Sequence, residues 1–422
     1  MNLRRLLAAS LIVLLAMPAQ AGATTVGNKI ARMAAAAGYG GSGTAFAVFD
    51  ATGGRWLYVN DGERALKPAS NMKLTTTAAA LGRIGISARL TTRVYYTGSR
   101  SGSTLNGNIW LIGGGDPSLS TSDYSAKRFG GTSAILGDLA QAVRSAGIRR
   151  VNGRVFGDGT KFDAVHVGPL WKPEYRIDCP PISGLSVNED WVRYGSTFSY
   201  NKPTLRSASA FRSSLISHGV SVSGPADVHA KPAGAGALLG SVTSPPMYRL
   251  VLQMNLPSDN YYAEVLNKDI AVARGLRGTT ANGRYVTRRY LQSLRVNTTN
   301  WRLYDGSGLS LGDRLTAQGI VSVINHVRMQ PYGFWFRNSL PTAGVSGTLS
   351  DRMRTGPAHG NAQAKTGTLR DASALSGYVT AANGHTILFS IIMNHGPDLN
   401  ISSARTLQDR VVQLLAASRP SA

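Results

Sequence analysis

The sequence predicts an α/β (α+β) protein, with one antiparallel sheet flanked by helices and interrupted by a large β-rich insertion. Three observations lead there. Strand-like runs bounded by tight turns lie near both ends of the chain, amphipathic helical patterns lie between them, and a stretch from about residue 90 to 245 has a texture of its own. Unpaired strand edges leave backbone groups unsatisfied, so the two ends are expected to share one sheet.

Taken in order, residues 1–21 read as a signal peptide. Arg4 and Arg5 supply positive charge, residues 6–17 form an apolar run short for a bilayer span, and Ala19-Gln20-Ala21 offers a small-x-small cleavage site. The mature protein is therefore expected to be periplasmic or secreted. "GTAFAVFDATGGRWLYVNDGER" places strands at 46–50 and 56–60 around a Gly-Gly turn. From about 90 to 245, runs such as "TTRVYYTG" and "RRVNGRVFGDG" surround one helical candidate near 134–146. Helical spacing returns with Tyr262, Val265, Leu266 and Ile270, and again over about 317–329. Strands follow at 362–368, 375–381 and 385–394, the last two joined at Asn383-Gly384, and Ala404, Leu407, Val411 and Leu414 mark a terminal helix. The expected units are the signal peptide, a main domain from 22–89 plus 246–422, and inserted accessory material at 90–245.

Composition narrows the function. With 422 residues, 43% of them hydrophobic, the chain can bury a substantial core. Cys179 is the only cysteine, which excludes an internal disulfide, a cysteine-rich zinc site and a dithiol redox site. Lys plus Arg number 45 against 22 Asp plus Glu; without Arg4 and Arg5 the net charge is 23 − 2 = +21. Such a balance favours anionic partners. Export argues against nucleic acid and for the cell wall or a membrane surface, while arginine-rich composition is the plainer explanation.

The chemistry begins at "KPASNMKLTT", where Ser70 and Lys73 stand three apart at a helix start. Residues three apart share a helix face, so the lysine can reach the hydroxyl, and the free N–H groups of the helix start favour a developing oxyanion. Ser199-Tyr200-Asn201-Lys202 repeats the pattern but runs into Pro203, which disfavours helix before it. Taken alone, Ser70 reads equally well as a helix cap. Ser258-Asp259-Asn260 precedes the helix beginning near Tyr261 and can supply a proton-relaying hydroxyl and a substrate-binding amide. Lys365-Thr366-Gly367-Thr368 lies on an expected strand edge, where a cation and hydroxyls can hold a carboxylate and Gly367 permits close backbone approach. No H-E-x-x-H spacing and no G-x-S-x-G elbow occurs, so neither a metal nor a Ser-His-Asp triad is expected, and no cofactor is implied.

The ordered set S-x-x-K, S-D-N and K-T-G resembles that of the penicillin-recognising serine acyltransferases. The distance of 185 residues from Lys73 to Ser258, with "SDNYYAE", "YDGSGLS" and "GDGTKFD", is more closely similar to the low-molecular-mass class C penicillin-binding proteins, peptidase family S13. That resemblance implies a serine β-lactamase/transpeptidase-like domain with an inserted accessory part. It implies a D-alanyl-D-alanine carboxypeptidase/endopeptidase acting on peptidoglycan peptides and covalently inhibited by β-lactams. It also implies that Asp158, in "GDGTKFD", binds a side chain of the peptide. Class A β-lactamase fits less well, since Glu264 stands one residue too close to Leu266 for E-x-x-L-N. In the implied mechanism Ser70 attacks, Lys73 is the base, Ser258 relays a proton, and Ser70 and Thr368 N–H groups form the oxyanion hole. Partial burial and nearby Lys365 are expected to depress the Lys73 pKa. The alternative is a catalytically silent peptidoglycan-binding protein of the same fold.

Overall fold

A computed structural model describes residues 25–193, 197–198, 201–396 and 399–421. The expected signal peptide lies outside the described residues, as do Ser199 and Tyr200 of the second S-x-x-K copy. In chain order the strands are β1 Thr44–Asp50, β2 Arg55–Asn60, β3 Thr91–Ser101, β4 Thr104–Ile112, β5 Arg150–Val151, β6 Val155–Asp158, β7 Trp191–Arg193, β8 Thr197–Phe198, β9 Ser221–Val222, β10 Ala226–Val228, β11 Ala237–Thr243, β12 Gln363–Leu369, β13 Ala372–Thr380 and β14 Thr386–Met393.

The two ends of the chain do share one sheet. Its order is β12-β13-β14-β1-β2, antiparallel throughout, with β12 at an edge. Alternation along β1 shows why the sequence there is nearly continuous in apolar residues. Ala45 and Ala47 face a core shared with the helices Met72–Ala79, Asn260–Val272 and Ala317–Val327. Phe46 and Val48 face a second core, shared with Thr25–Ala36 and Ile401–Ala417. Both faces are covered, so both must be apolar.

The helix Met72–Ala79 is wholly buried although it reads MKLTTTAA. Its threonines are satisfied locally: Thr75 Oγ1 donates to Met72 O at 2.8 Å, Thr77 Oγ1 to Lys73 O at 2.6 Å and Thr76 Oγ1 to Gly306 O at 2.7 Å. A buried hydroxyl without such a partner is costly.

A second, seven-stranded mixed sheet is built wholly within residues 91–243: β11, β3 and β4 are antiparallel, while β4, β6 and β10, and β4, β5 and β9, are parallel. Its core includes Val94, Leu111, Leu139 and Phe211. Here the expectation of one helix is corrected, for three lie in this span: Ser122–Phe129, Leu136–Ser145 and Pro203–Ser217. Part of the same span packs elsewhere. Phe162, Trp171, Tyr175, Cys179 and Ile182 join the core of the helix Asn260–Val272.

Candidate active site

Ser70 sits in a 3-10 turn, Ala69–Asn71, that leads directly into the helix Met72–Ala79. Ala69 is held at φ 46°, a strained conformation for an L-residue, and it turns the chain immediately before the serine. Two neighbours hold that turn. Asn71 Nδ2 donates to Lys365 O at 3.0 Å, and Gly367 lies so close that a Cβ there would stand 2.7 Å from Pro68 O. Gly367 thus admits the serine turn itself against β12, rather than only a ligand.

Lys73 follows one turn later and is fully buried. Its Nζ donates to Ser70 Oγ at 3.0 Å, Asn260 Oδ1 at 2.6 Å and Ser307 O at 2.8 Å. Burial pushes its pKa down to about 8, while Asp305, Asp259 and Glu264 pull the other way. The depression therefore comes from complete burial, not from the partial burial and Lys365 expected from sequence. Lys365, also fully buried, is held well below the usual lysine range by burial first and by Lys73 second. The neighbouring Lys73 cation disfavours a second positive charge at Lys365.

The Ser258-Asp259-Asn260 turn supplies the next wall. Asp259 caps the helix Asn260–Val272, its Oδ1 accepting from Tyr262 N at 3.0 Å, which releases Ser258 and Asn260 for other work. Ser258, at φ 65°, accepts from Lys365 Nζ at 2.8 Å. No hydrogen bond joins it to Lys73 among the described residues; its lysine partner here is Lys365. Asn260 bridges, accepting from Lys73 and donating its Nδ2 to Asp178 O at 2.9 Å.

Ser70, Ser258, Asn260, Thr366, Gly367 and Thr368 line one open cleft of about 760 Å3, with Lys73 and Lys365 buried beneath it. Thr366 Oγ1 shares a hydrogen bond with Thr348 Oγ1 at 2.7 Å, and Thr368 Oγ1 accepts from Arg405 Nη2 at 3.1 Å. Asp158 is not brought to this cleft. Its Oδ1 accepts from Thr160 N at 2.9 Å and its Oδ2 from Lys231 N at 2.8 Å, so both oxygens serve its own turn and a neighbouring loop.

Several contributors escape sequence reading. Glu264, fully buried and away from the cleft lining, accepts from Gly306 N at 3.0 Å and Ser307 N at 2.8 Å, and so aims the Ser307 carbonyl that receives Lys73. Asp305 holds the same loop through Gly308 N at 2.7 Å and Ser310 N at 2.8 Å. The "YDGSGLS" run was the available signal. Arg128, from the seven-stranded region, pairs with both Asp259 and Glu189 beside the serine-asparagine turn. Cys179 is fully buried, and that burial raises its pKa well above the thiol range, so it offers no thiolate nucleophile.

A serine whose hydroxyl meets a buried, low-pKa lysine at the floor of an open cleft is the arrangement of a serine-type acyl-transferring hydrolase. The chain belongs to the D-Ala-D-Ala carboxypeptidase 3 (S13) family, whose sequence model matches residues 26–197 and 186–418. It is 32% identical over 382 residues to carboxypeptidase DacB of Mycolicibacterium smegmatis, covering 87% of this chain and 79% of that one. It is 28% identical over 425 residues to a D-alanyl-D-alanine carboxypeptidase of Actinomadura sp., covering 82% and 77%. In fold it matches crystal structures of penicillin binding protein 4 (dacB) from Haemophilus influenzae. One has a TM-score of 0.78 at 20% identity over 92% of this chain and all of that one. Another, complexed with a β-lactam, has a TM-score of 0.70 at 19% identity over 91% and 99%.

Proposed function

We propose that the chain is an exported serine DD-peptidase that cleaves D-alanyl bonds of peptidoglycan peptides as carboxypeptidase and endopeptidase, with residues 90–245 as an inserted accessory part. The observation that carries this reading is the contact of Ser70 Oγ with fully buried Lys73 beneath the cleft edged by β12. Family membership and the β-lactam complex of the Haemophilus protein support it. The basic composition of the chain is compatible with work at an anionic envelope.

Neutral Lys73 has two N–H groups and one lone pair. Asn260 Oδ1 and Ser307 O take the two hydrogens, which leaves the lone pair facing the Ser70 proton. With a pKa of about 8, roughly a tenth of the lysine is neutral at pH 7, enough for a base that a charged lysine cannot be. Ser70 Oγ bonds to the carbonyl carbon, and the N–H groups of Ser70 and Thr368 hold the oxyanion, at about 3 kcal/mol per donor. Collapse breaks the C–N bond. The proton that Lys73 took from Ser70 passes to the departing amine through Ser258, which exchanges its Lys365 contact for Lys73 in this step. Lys73, neutral again, takes a proton from the water that hydrolyses the ester and returns it to Ser70. Lys365, Thr366 and Thr368 hold the substrate carboxylate.

The test is intact-mass analysis of the purified protein with a penicillin, followed by peptide mapping. One adduct on Ser70, absent from Ser70→Ala, is expected. No adduct on a folded protein that still binds peptidoglycan would overturn the mechanism and favour the catalytically silent binding protein.

A further inference from the structure

Between Asp269 and Asp305 the chain carries seven arginines and no carboxylate, against 45 basic and 22 acidic residues overall. Acid-free runs also occur at 64–115, 191–226 and 314–350, but none of them carries arginine as densely as this one. The stretch folds as the helix Thr280–Ser293 with its flanking loops. Val286, Thr287, Tyr290 and Leu291 turn inward, and Gly283 lies against Asn267 of the helix Asn260–Val272. The outer side is cationic. Arg277, Arg289, Arg295 and Arg302 are exposed, and none forms an ion pair among the described residues.

Arg284 and Arg288 are half-buried and fixed. Arg284 Nη1 donates to Leu303 O at 3.2 Å, and Arg288 donates to Thr298 O at 3.1 Å and Trp301 O at 2.7 Å. These bonds use only part of each guanidinium and hold both side chains ready, so a ligand need not order them. With Arg302, Tyr285 and Tyr304 they line an open groove of about 440 Å3. Apolar groups accompany the charge: Tyr285, on the groove, is 58% exposed, and Leu276, next to Arg277 in the chain, is 38% exposed. Cations alone would suit any polyanion. Cations interleaved with an exposed aromatic ring and an aliphatic side chain suit the headgroup layer of a bilayer.

We propose that this face docks on an anionic lipid surface, with phosphate headgroups at Arg284, Arg288 and Arg302 and with Tyr285 and Leu276 resting among the headgroups. The contact is independent of the peptidase reading. It is tested by co-sedimentation with phosphatidylcholine vesicles, with and without phosphatidylglycerol. The full chain is compared with R277E/R289E/R302E and with K127E/R93E/R150E, which makes the same charge change at exposed positions elsewhere. All three chains carry the same amino terminus, so its apolar run contributes equally.

The wild type and the distant triple are expected to bind phosphatidylglycerol vesicles in a salt-sensitive way. The face triple is expected to bind at least about tenfold more weakly while forming a normal penicillin adduct. Equal loss in both triples, equal binding to phosphatidylcholine alone, or full retention by the face triple would overturn the proposal. So would binding of soluble polyphosphate at this face without binding of the vesicles, since the occupant would then be a soluble polymer.

Discussion

In the proposed mechanism the chemistry turns on Lys73, and its surroundings fix a pH signature. Its pKa is lowered from 10.5 to about 8 by burial, and only its neutral form can accept the Ser70 proton. The acylation rate by penicillin is therefore expected to rise with pH and level off above about 8, as stopped-flow acylation across that range would show. Lys73→Arg keeps the charge but removes the lone pair, and a loss of about 10²–10⁴-fold is expected, with a fold unchanged by circular dichroism. Gly367→Ala tests the neighbouring contact. Its methyl would stand 2.7 Å from Pro68 O, so β12 must move off the serine turn, and acylation should fall more than stability. Ser70, Lys73, Ser258, Asn260 and Lys365 were legible because each belongs to a tripeptide or one helical turn. Ser307 and Glu264 were not, because they reach Lys73 only through the fold: Glu264 aims a carbonyl 43 residues away in sequence. Asp158 shows the opposite hazard. Its resemblance to a motif was clear, but Thr160 bonds one of its oxygens and Lys231 N the other, away from the cleft lining.

At the scale of elements, the helix Asn260–Val272 is where the two sheets' surroundings meet. Arg128, on the helix Ser122–Phe129, reaches across to the Asp259 cap and to Glu189, whose carboxyl burial drives upward. This pairing pins the turn that presents Ser258, which is itself in a strained backbone conformation. Arg128→Ala should slow acylation by loosening that turn. It should also leave Asp259 uncompensated, and because Asp259 raises the Lys73 pKa, the pH midpoint of acylation should move to higher pH. A purely structural role would slow the reaction without moving the midpoint. Elements with clear periodicity or turn chemistry were read closely: β14 starts where the Asn383-Gly384 turn put it, and the helix Ala317–Val327 falls within the expected 317–329. The helix Pro203–Ser217 was missed because its sequence, PTLRSASAFRSSLIS, buries only Pro203, Ser207, Ala208, Phe211 and Leu215, and two of these carry little hydrophobic signal. Its Pro at the first turn was the usable sign. The helix Met247–Asn255 was hidden by flanking prolines that read as loop.

For the whole molecule, the buried carboxyls predict how stability responds to pH. Glu264 and Asp116 are fully buried, lack cationic partners within hydrogen-bonding distance, and each leaves one oxygen without a hydrogen-bond partner among the described residues. Burial first, and for Glu264 the nearby Asp305, raises them from 4.5 and 3.8 to about 8 and about 6. Unfolded, both groups lose their protons near the ordinary values; folded, they keep them longer. The native chain therefore binds more protons than the unfolded chain above about pH 4, and their contribution is lost as pH rises through 6 and then 8. Lys365, held well below the usual lysine range, opposes this fall from lower pH, and Lys73 joins it above 8, where the unfolded lysine stays charged and the folded one does not, so stability should stop falling there. Urea unfolding at about pH 5, 6.5, 8 and 9 should show the midpoint falling and then levelling. The fall should be reduced in Asp116→Asn, which cannot lose a proton. The residues of 162–182 that pack into the core of the helix Asn260–Val272 make a second demand on the same experiment. Tryptophan fluorescence and loss of penicillin binding should report one coincident transition, because the two sheets are joined through buried side chains rather than by a linker. Two separated transitions would mean instead that the seven-stranded body unfolds on its own.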